Sequence, residues 1–128
     1  DGICSGELPK LAAGAMADGQ VVCAEAGGVE GAQKASMEKF KADFKKKFNA
    51  DVQIYAPYVY DATMVMVDAM VKAGSAEPAK YLPVLAKTNG FKGVTGTIAF
   101  DEKGDIQNGA LTLFTYKGEK REQIAVVR

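Results

Sequence analysis

The sequence contains no histidine. A Ser-His or Cys-His nucleophilic pair therefore cannot be built, and the usual proton shuttle near neutral pH is missing. Two cysteines are present, Cys4 and Cys23, and the eighteen residues between them fit none of the familiar zinc spacings. We therefore expect a protein that is not an enzyme and that carries no metal or other cofactor.

A net charge and a long apolar run are also missing. Sixteen basic residues balance sixteen acidic ones, so no overall positive field gathers nucleic acid or anionic lipid. The most apolar stretch, residues 62–71, is interrupted by Asp68 and is far too short to cross a bilayer. The first four residues have no basic and apolar leader, so we expect any signal peptide to have been removed or to lie outside this piece. We expect neither a nucleic-acid partner nor insertion into a membrane.

Three short motifs resemble ion or phosphate sites, and each has a simpler interpretation. Asp101 and Asp105 bracket a D-x-x-G-D turn that is typical of a solvated hairpin tip and lacks the alternating ligands of a calcium loop. Gly27-Gly28 is followed by neither the dinucleotide spacing nor the P-loop ending, and it indicates a linker. The run Lys45–Lys47 has no aromatic platform and indicates the exposed face of a helix.

Composition and periodicity predict a compact α/β protein. A chain of 128 residues, 48% hydrophobic and 25% charged, suffices for one domain with a core. Apolar residues at spacings of three or four, with a proline near the start of three of the segments, predict one short and three longer helices. These are a short helix from Leu8 to Met16, an amphipathic helix from Met37 to Phe48 with Ser36 as a candidate cap, a nearly all-apolar helix from Ala56 to Ala73, and a helix from Pro78 that ends before Asn89.

Short strands are predicted before and after the helices. An apolar run from Val21 to Ala24 is typical of a buried strand, and twofold alternation from Val94 onward predicts a second one. Residues 110–116 and 123–127 continue the alternation, with turns between them in which Gly104 can take a positive φ. The chain is therefore expected to end in an antiparallel meander.

The cysteine pair alone leaves two interpretations open. A disulfide between Cys4 and Cys23 would contribute about 3 kcal/mol by the loop-entropy estimate, in an oxidising compartment. Alternatively, both are small buried apolar residues. The spacing does not decide between them.

Residues 93–105, G-V-T-G-T-I-A-F-D-E-K-G-D, resemble a segment near the C-terminus of the leucine/isoleucine/valine-binding protein family. These are type I periplasmic substrate-binding proteins of branched-chain amino-acid ABC importers. Tyr58–Ala62 is similar to the start of the family's long buried helix, Glu77–Leu82 to the next helix, and Asp1-Gly2 to a short acidic turn. The motifs keep their order and spacing, and the whole chain can be laid along the family's last part.

The resemblance implies a fragment of a two-lobed fold in which the lobes close on the ligand by hinge motion. Residues 1–26 and 96–128 would belong to one lobe and residues 27–95 mostly to the other, with hinge crossings near residues 26 and 95. The first lobe's opening strands and much of the second lobe's sheet would be missing from this chain. Such a piece exposes apolar surface, including one side of the long helix at Val65 to Met70. We therefore expect it to associate, with exchange of elements between copies, or to be a cleaved or truncated product.

The resemblance also implies two ligand contacts. Asp1 corresponds to the carboxylate that meets the ammonium group of the amino acid, and Tyr55 falls where the family places an aromatic residue against the ligand side chain. A disordered terminal residue and plain core packing are the respective alternatives. Tyr58 and Tyr60 are expected to pack the helix. Because some family members contain a structural disulfide, we expect Cys4 and Cys23 to be bridged.

The function implied by the resemblance is periplasmic binding of a branched-chain or other aliphatic amino acid for delivery to the membrane permease of an ABC importer. The same scaffold also serves amides, urea and aromatic acids, so the fold does not determine the ligand. A different class of function, a secreted structural or interaction domain without a small ligand, stays open as an alternative.

Overall fold

The computed structural model describes residues 2–26 and 32–127. Gly27-Gly28 and Asp1 lie outside the described residues. The helices are α1 (Leu8–Ala12), α2 (Ala32–Phe48), α3 (Ala56–Ala73) and α4 (Pro78–Leu85), and the strands are β1 (Val22–Ala26), β2 (Phe91–Lys92), β3 (Thr97–Ile98), β4 (Leu111–Lys117) and β5 (Lys120–Val127). This mixture of helices and short antiparallel strands confirms the predicted α/β class.

The chain divides into two compact units, one formed by Asp1–Gly28 with Asn108–Arg128 and the other by Val29–Gln107. The expectation of a single unit from composition is therefore wrong. Residues 96–107, which the lobe prediction grouped with the two ends of the chain, belong to the second unit. Assignment of the units to lobes of a larger protein stays a prediction.

The first unit contains an antiparallel sheet in the order β1-β4-β5. Strands β4 and β5 form a hairpin, in which Gly118 in the turn has a φ of 54°. The expected antiparallel meander is confirmed for this hairpin, but the third strand of the sheet is β1 and not the strand predicted from Val94. The structure also joins Cys4 to Cys23 in the disulfide that the resemblance implied. It anchors the loop before α1 to β1, and Cys4 has no exposed surface.

The second unit is built on α3, whose bounds agree with the sequence prediction. The buried positions of α3 recur every four residues, at Pro57, Asp61, Val65 and Ala69, and therefore form a single stripe. The helix packs against α4. The ring of Tyr60 contacts that of Phe40 on α2 at a centroid distance of 5.1 Å, which confirms the packing role expected for Tyr60.

The long strand predicted from Val94 to Phe100 is wrong. Only Thr97–Ile98 forms a strand, paired with Phe91–Lys92, and residues 93–96 turn between the two. The N–H of Gly93 donates to the carbonyl of Gly96 at 2.8 Å. Apolar and polar residues do alternate in this segment. Its first half nevertheless forms a tight turn, because of Gly93, Gly96 and the buried carboxylate of Asp61.

The C-terminal end of α1 and the N-terminal end of α2 differ from the sequence prediction. Helix α1 stops at Ala12 rather than Met16, because Ala13 and Gly14 both take positive φ. Ser36 is not a cap, since α2 already begins at Ala32. The hairpin tip was predicted correctly: Gly104 has a φ of 86°, and the Asp101 carboxylate accepts the N–H groups of Lys103 and Asp105.

Candidate ligand-binding site

Tyr55, the predicted aromatic contact, lies at the N-cap position of α3. Its carbonyl accepts the N–H of Val59 at 3.0 Å, so the backbone at this point is already part of the first helical turn. The side chain is 49% exposed, so it is not a core residue. A rigid helix end therefore presents an aromatic ring that has apolar area available for another molecule.

The helix that carries Tyr55 is held in place by Asp61, one turn and a half further along. The Asp61 carboxylate is 2% exposed and accepts hydrogen bonds from the N–H groups of Val94 and Thr95 at 2.9 and 2.8 Å, and from the Thr95 hydroxyl at 2.6 Å. Three donors compensate the cost of burying an ionised carboxylate. This contact fixes α3 to the β2–β3 turn and thereby the helix end at Tyr55.

Asp1, the predicted ammonium partner, lies outside the described residues. The loop that follows it, residues 2–7, is described and is attached to the sheet of the first unit. The Tyr116 hydroxyl donates to the carbonyl of Ser5 at 2.8 Å, and the Arg121 guanidinium donates to the carbonyl of Cys4. Arg121 also forms an ion pair with Glu25.

Burial raises the pKa of the Tyr116 hydroxyl above its ordinary value of 10.0. The positive charge of Arg121 acts in the opposite direction and the negative charge of Glu25 in the same one. The hydroxyl is therefore a neutral donor at physiological pH, which is the state that the contact with Ser5 needs.

Sequence reasoning missed Glu25, Tyr116 and Arg121, although two signals were available. Glu25 is an acidic residue directly after the apolar run of β1, and Arg121 is one of only two arginines in the chain. A charge in a predicted buried strand needs a partner of opposite sign. The partner itself depends on strand pairing across almost one hundred residues, which a single sequence does not reveal.

Neither a metal site nor a membrane-spanning helix was found in residues 2–26 and 32–127. No three acidic, cysteine or histidine side chains there are grouped so that they could hold a metal ion. No helix in this part of the chain has both the length and the apolar character needed to cross a bilayer.

Sequence comparison relates the chain to binding proteins. The family model for periplasmic binding protein matches residues 3–121. The Leu/Ile/Val-binding protein homolog 1 of Brucella abortus is 33% identical over 120 residues, covering 94% of this chain and 30% of the relative. The leucine-, isoleucine-, valine-, threonine-, and alanine-binding protein of Pseudomonas aeruginosa is 36% identical over 73 residues, which is 57% of this chain and 19% of the relative. The chain thus spans about a third or less of these proteins.

Solved structures show the same relationship. A leucine-binding protein from Thermotoga maritima superposes with a TM-score of 0.75 at 26% identity, covering 95% of this chain and 34% of that one. The isoleucine complex of a branched-chain amino-acid transporter substrate-binding protein from Streptococcus pneumoniae has a TM-score of 0.66 at 24% identity, covering 81% of this chain and 30% of that one. All four of these matched proteins are named as binding proteins, one of them as the substrate-binding protein of a transporter, and none as an enzyme. The chain belongs to the periplasmic binding protein family, of whose fold it forms a mixed helix and strand fragment.

Proposed function

We propose that this chain is part of an exported protein that binds a branched-chain or related aliphatic amino acid in the periplasm and delivers it to the membrane permease of an ABC importer. In this proposal the Asp1 carboxylate meets the ligand's ammonium group, and the Tyr55 ring covers part of its side chain. An ionised carboxylate against an ammonium in a closed cleft forms a charge-assisted bond that is stronger than the same pair in water.

The observation that carries the proposal is the exposed ring of Tyr55 at the fixed start of α3. A large aromatic side chain left 49% exposed beside a well-anchored helix end is available for a ligand. The names of the relatives, Leu/Ile/Val-binding and leucine-binding, support an aliphatic amino acid as that ligand.

The two compact units support a two-lobed arrangement for the longer protein. We assign the unit with both chain ends to one lobe and Val29–Gln107 to the other. The second crossing then lies at residues 107–108 rather than near residue 95. Closure of the two lobes on the ligand would sequester it for delivery.

A second ligand class is an aromatic acid. A solute-binding protein from R. palustris, solved in complex with benzoate, superposes with a TM-score of 0.64 at 17% identity. One scaffold therefore accommodates chemically different carboxylates. A flat ligand would also stack well on Tyr55, so benzoate belongs in any binding test beside leucine, isoleucine and valine.

The test uses a chimera in which this chain replaces the matched segment of the Brucella abortus relative, because that protein supplies the remainder of the fold. We expect leucine binding by calorimetry, with Asp1→Asn weakening it about 10- to 100-fold, since a hydrogen bond to a charged group contributes about 1.5–3 kcal/mol. Glu7→Gln, which alters an exposed carboxylate in the following loop, is the matched control and should change nothing.

Tyr55 is tested in the same chimera by two substitutions. Tyr55→Phe keeps the ring and should retain affinity, whereas Tyr55→Ala should lose roughly tenfold, as expected for removing aromatic contact area. Thr63→Ala, at an exposed polar position about two turns further along α3, is the control and should leave the affinity unchanged. Leucine binding that is insensitive to both Asp1→Asn and Tyr55→Ala would rule out the proposed contacts. Failure of a folded chimera to bind any amino acid would favour a structural or interaction domain.

A further inference from the structure

One face of the β1-β4-β5 sheet holds the N-terminal loop, residues 2–7, through side chains outside the proposed ligand contacts. In the sheet register Cys23 pairs with Phe114, and Tyr116 pairs with Arg121. Directly paired residues point to the same side of a sheet, as do residues two apart on a strand. Cys23, Tyr116 and Arg121 therefore share one face, and each of them contacts the loop.

Tyr116 supplies the first of these contacts besides the disulfide. Its side chain is 1% exposed, and its hydroxyl lies 2.8 Å from the carbonyl oxygen of Ser5 and 3.4 Å from that of Ile3. A phenol has one proton to donate, so Ser5 is the main acceptor. In a buried setting this hydrogen bond has little competition from water.

Arg121 supplies the second contact and is itself fixed from two directions. Its guanidinium is paired with the Glu25 carboxylate and lies 4.3 Å from the centre of the Phe114 ring. The side chains of Arg121 and Glu25 are 27% and 11% exposed, so the pair is largely shielded from solvent. A guanidinium fixed in this way has its N–H directed at the Cys4 carbonyl before any ligand arrives.

Three consecutive carbonyls of the loop, those of Ile3, Cys4 and Ser5, thus face either Tyr116 or Arg121. The loop forms no strand, and it is held by these contacts, by the disulfide and by a hydrogen bond from the N–H of Leu8 to the carbonyl of Ser5 at 3.3 Å. Asp1 is two residues before the first of these carbonyls in the sequence. A carboxylate next to an anchored loop loses less conformational freedom on binding than one in an unanchored segment.

We propose that Tyr116 and Arg121, together with the Cys4–Cys23 disulfide, are positioning residues for Asp1, so that ligand affinity depends on side chains that do not touch the ligand. This inference rests on the role of Asp1 in the proposed function. It adds a requirement: reduction of the disulfide should weaken ligand binding as well as the fold, which links affinity to an oxidising compartment.

The first test measures amide hydrogen exchange in residues 2–7 of the 128-residue chain. Tyr116→Phe and Arg121→Lys should each accelerate exchange in the loop roughly tenfold, which corresponds to the loss of one buried hydrogen bond, and should leave the amides of α3 unchanged. Lys117→Met removes an exposed cation from the same hairpin and is the matched control. Loop exchange equal to that of the unsubstituted chain in both variants overturns the proposal.

The second test asks whether Arg121 acts through Asp1, using the Brucella chimera and leucine. Arg121→Lys should weaken binding about tenfold when Asp1 is present and should have no further effect in an Asp1→Asn background. An equal loss in both backgrounds would show that Arg121 acts on the fold in general, and would overturn the positioning role. If Asp1→Asn alone leaves affinity unchanged, the proposed ligand contact fails, and only the exchange result then bears on how the loop is held.

Discussion

Tyr116 is a titratable residue that is almost fully buried, and its burial makes the stability of the first unit sensitive to alkaline pH. Burial raises the pKa of its hydroxyl in the folded chain above the ordinary value of 10.0. The folded state therefore binds this proton more tightly than the unfolded state does. The corresponding stabilisation is present in full below the unfolded pKa of about 10 and is lost as the pH rises through the folded pKa.

We therefore expect Tyr116→Phe to remove part of the alkaline destabilisation. Urea unfolding between about pH 8 and pH 11 should show a steeper fall in the free energy of unfolding for the unsubstituted chain than for the variant. Tyr81→Phe, which removes a hydroxyl from α4, is the control. Parallel profiles for the unsubstituted chain and Tyr116→Phe would contradict this explanation.

At the scale of elements, the contact between α3 and the β2–β3 turn depends on the absence of a side chain at Gly93. A Cβ atom placed there would lie 2.4 Å from Oδ2 of Asp61, and its backbone φ is not in the left-handed region. The glycine is thus needed for space and not for backbone conformation. The carboxylate and the turn can approach each other only because residue 93 has no side chain.

This predicts a non-additive pair of substitutions. Gly93→Ala and Asp61→Ala should each destabilise the chain, by about 2 kcal/mol for the loss of the buried hydrogen bonds in the latter case. The double variant should be more stable than the sum of the two losses implies, by at least about 0.5 kcal/mol, because alanine at 61 removes the atom that residue 93 meets. Gly6→Ala, where an added Cβ meets nothing within 4 Å, is the neutral control for urea denaturation. Strict additivity would exclude the clash.

The same turn shows which elements can be predicted from the sequence. Helix α3 was located at its observed bounds and α4 at its observed start, because apolar periodicity, a proline in the first turn and a glycine after Ala73 are all local signals. The strand from Val94 was mispredicted because Asp61, more than thirty residues away, supplies the acceptor that closes the turn. The local sequence pattern indicates the candidate elements, and contacts with residues far away in the sequence determine which of these elements form.

The residues of the candidate site show the same difference between local signals, which the sequence reveals, and long-range contacts, which it does not. Tyr55 was found through a resemblance at the start of α3, and the structure adds its exposure and the anchor at Asp61. Glu25 and Arg121 were not found, since their meaning comes only from the pairing of β1 with β4 and of β4 with β5. A position at the start of one helix could therefore be proposed from local motifs, whereas the side-chain contacts across the sheet could not be predicted.

At the scale of the whole molecule, α3 has more apolar surface than this chain covers. Val65 and Ala69 belong to the buried stripe, whereas Met66 and Val67 are 37% and 41% exposed, as expected for one side of the helix between Val65 and Met70. Apolar side chains are also exposed nearer the helix ends, and Val59 and Val71 are 62% and 73% exposed. Since the chain covers only about a third of the length of its relatives, we propose that the rest of the longer protein covers this surface there, and that a second copy does so in the isolated chain.

The isolated chain is therefore expected to self-associate, and light scattering after size exclusion should report more than one copy per particle. Val59→Lys with Val71→Lys should shift the population toward monomer, because each lysine places a charge on surface that must otherwise lose its water. Leu11→Lys makes the same type of change at an exposed apolar residue of α1 and should have no effect. A compact monomer at all accessible concentrations would contradict association, while a dimer unaffected by the α3 substitutions would move the interface elsewhere. Exchange of elements between copies predicts a further signature, since a swapped dimer dissociates only through unfolding and should persist on dilution.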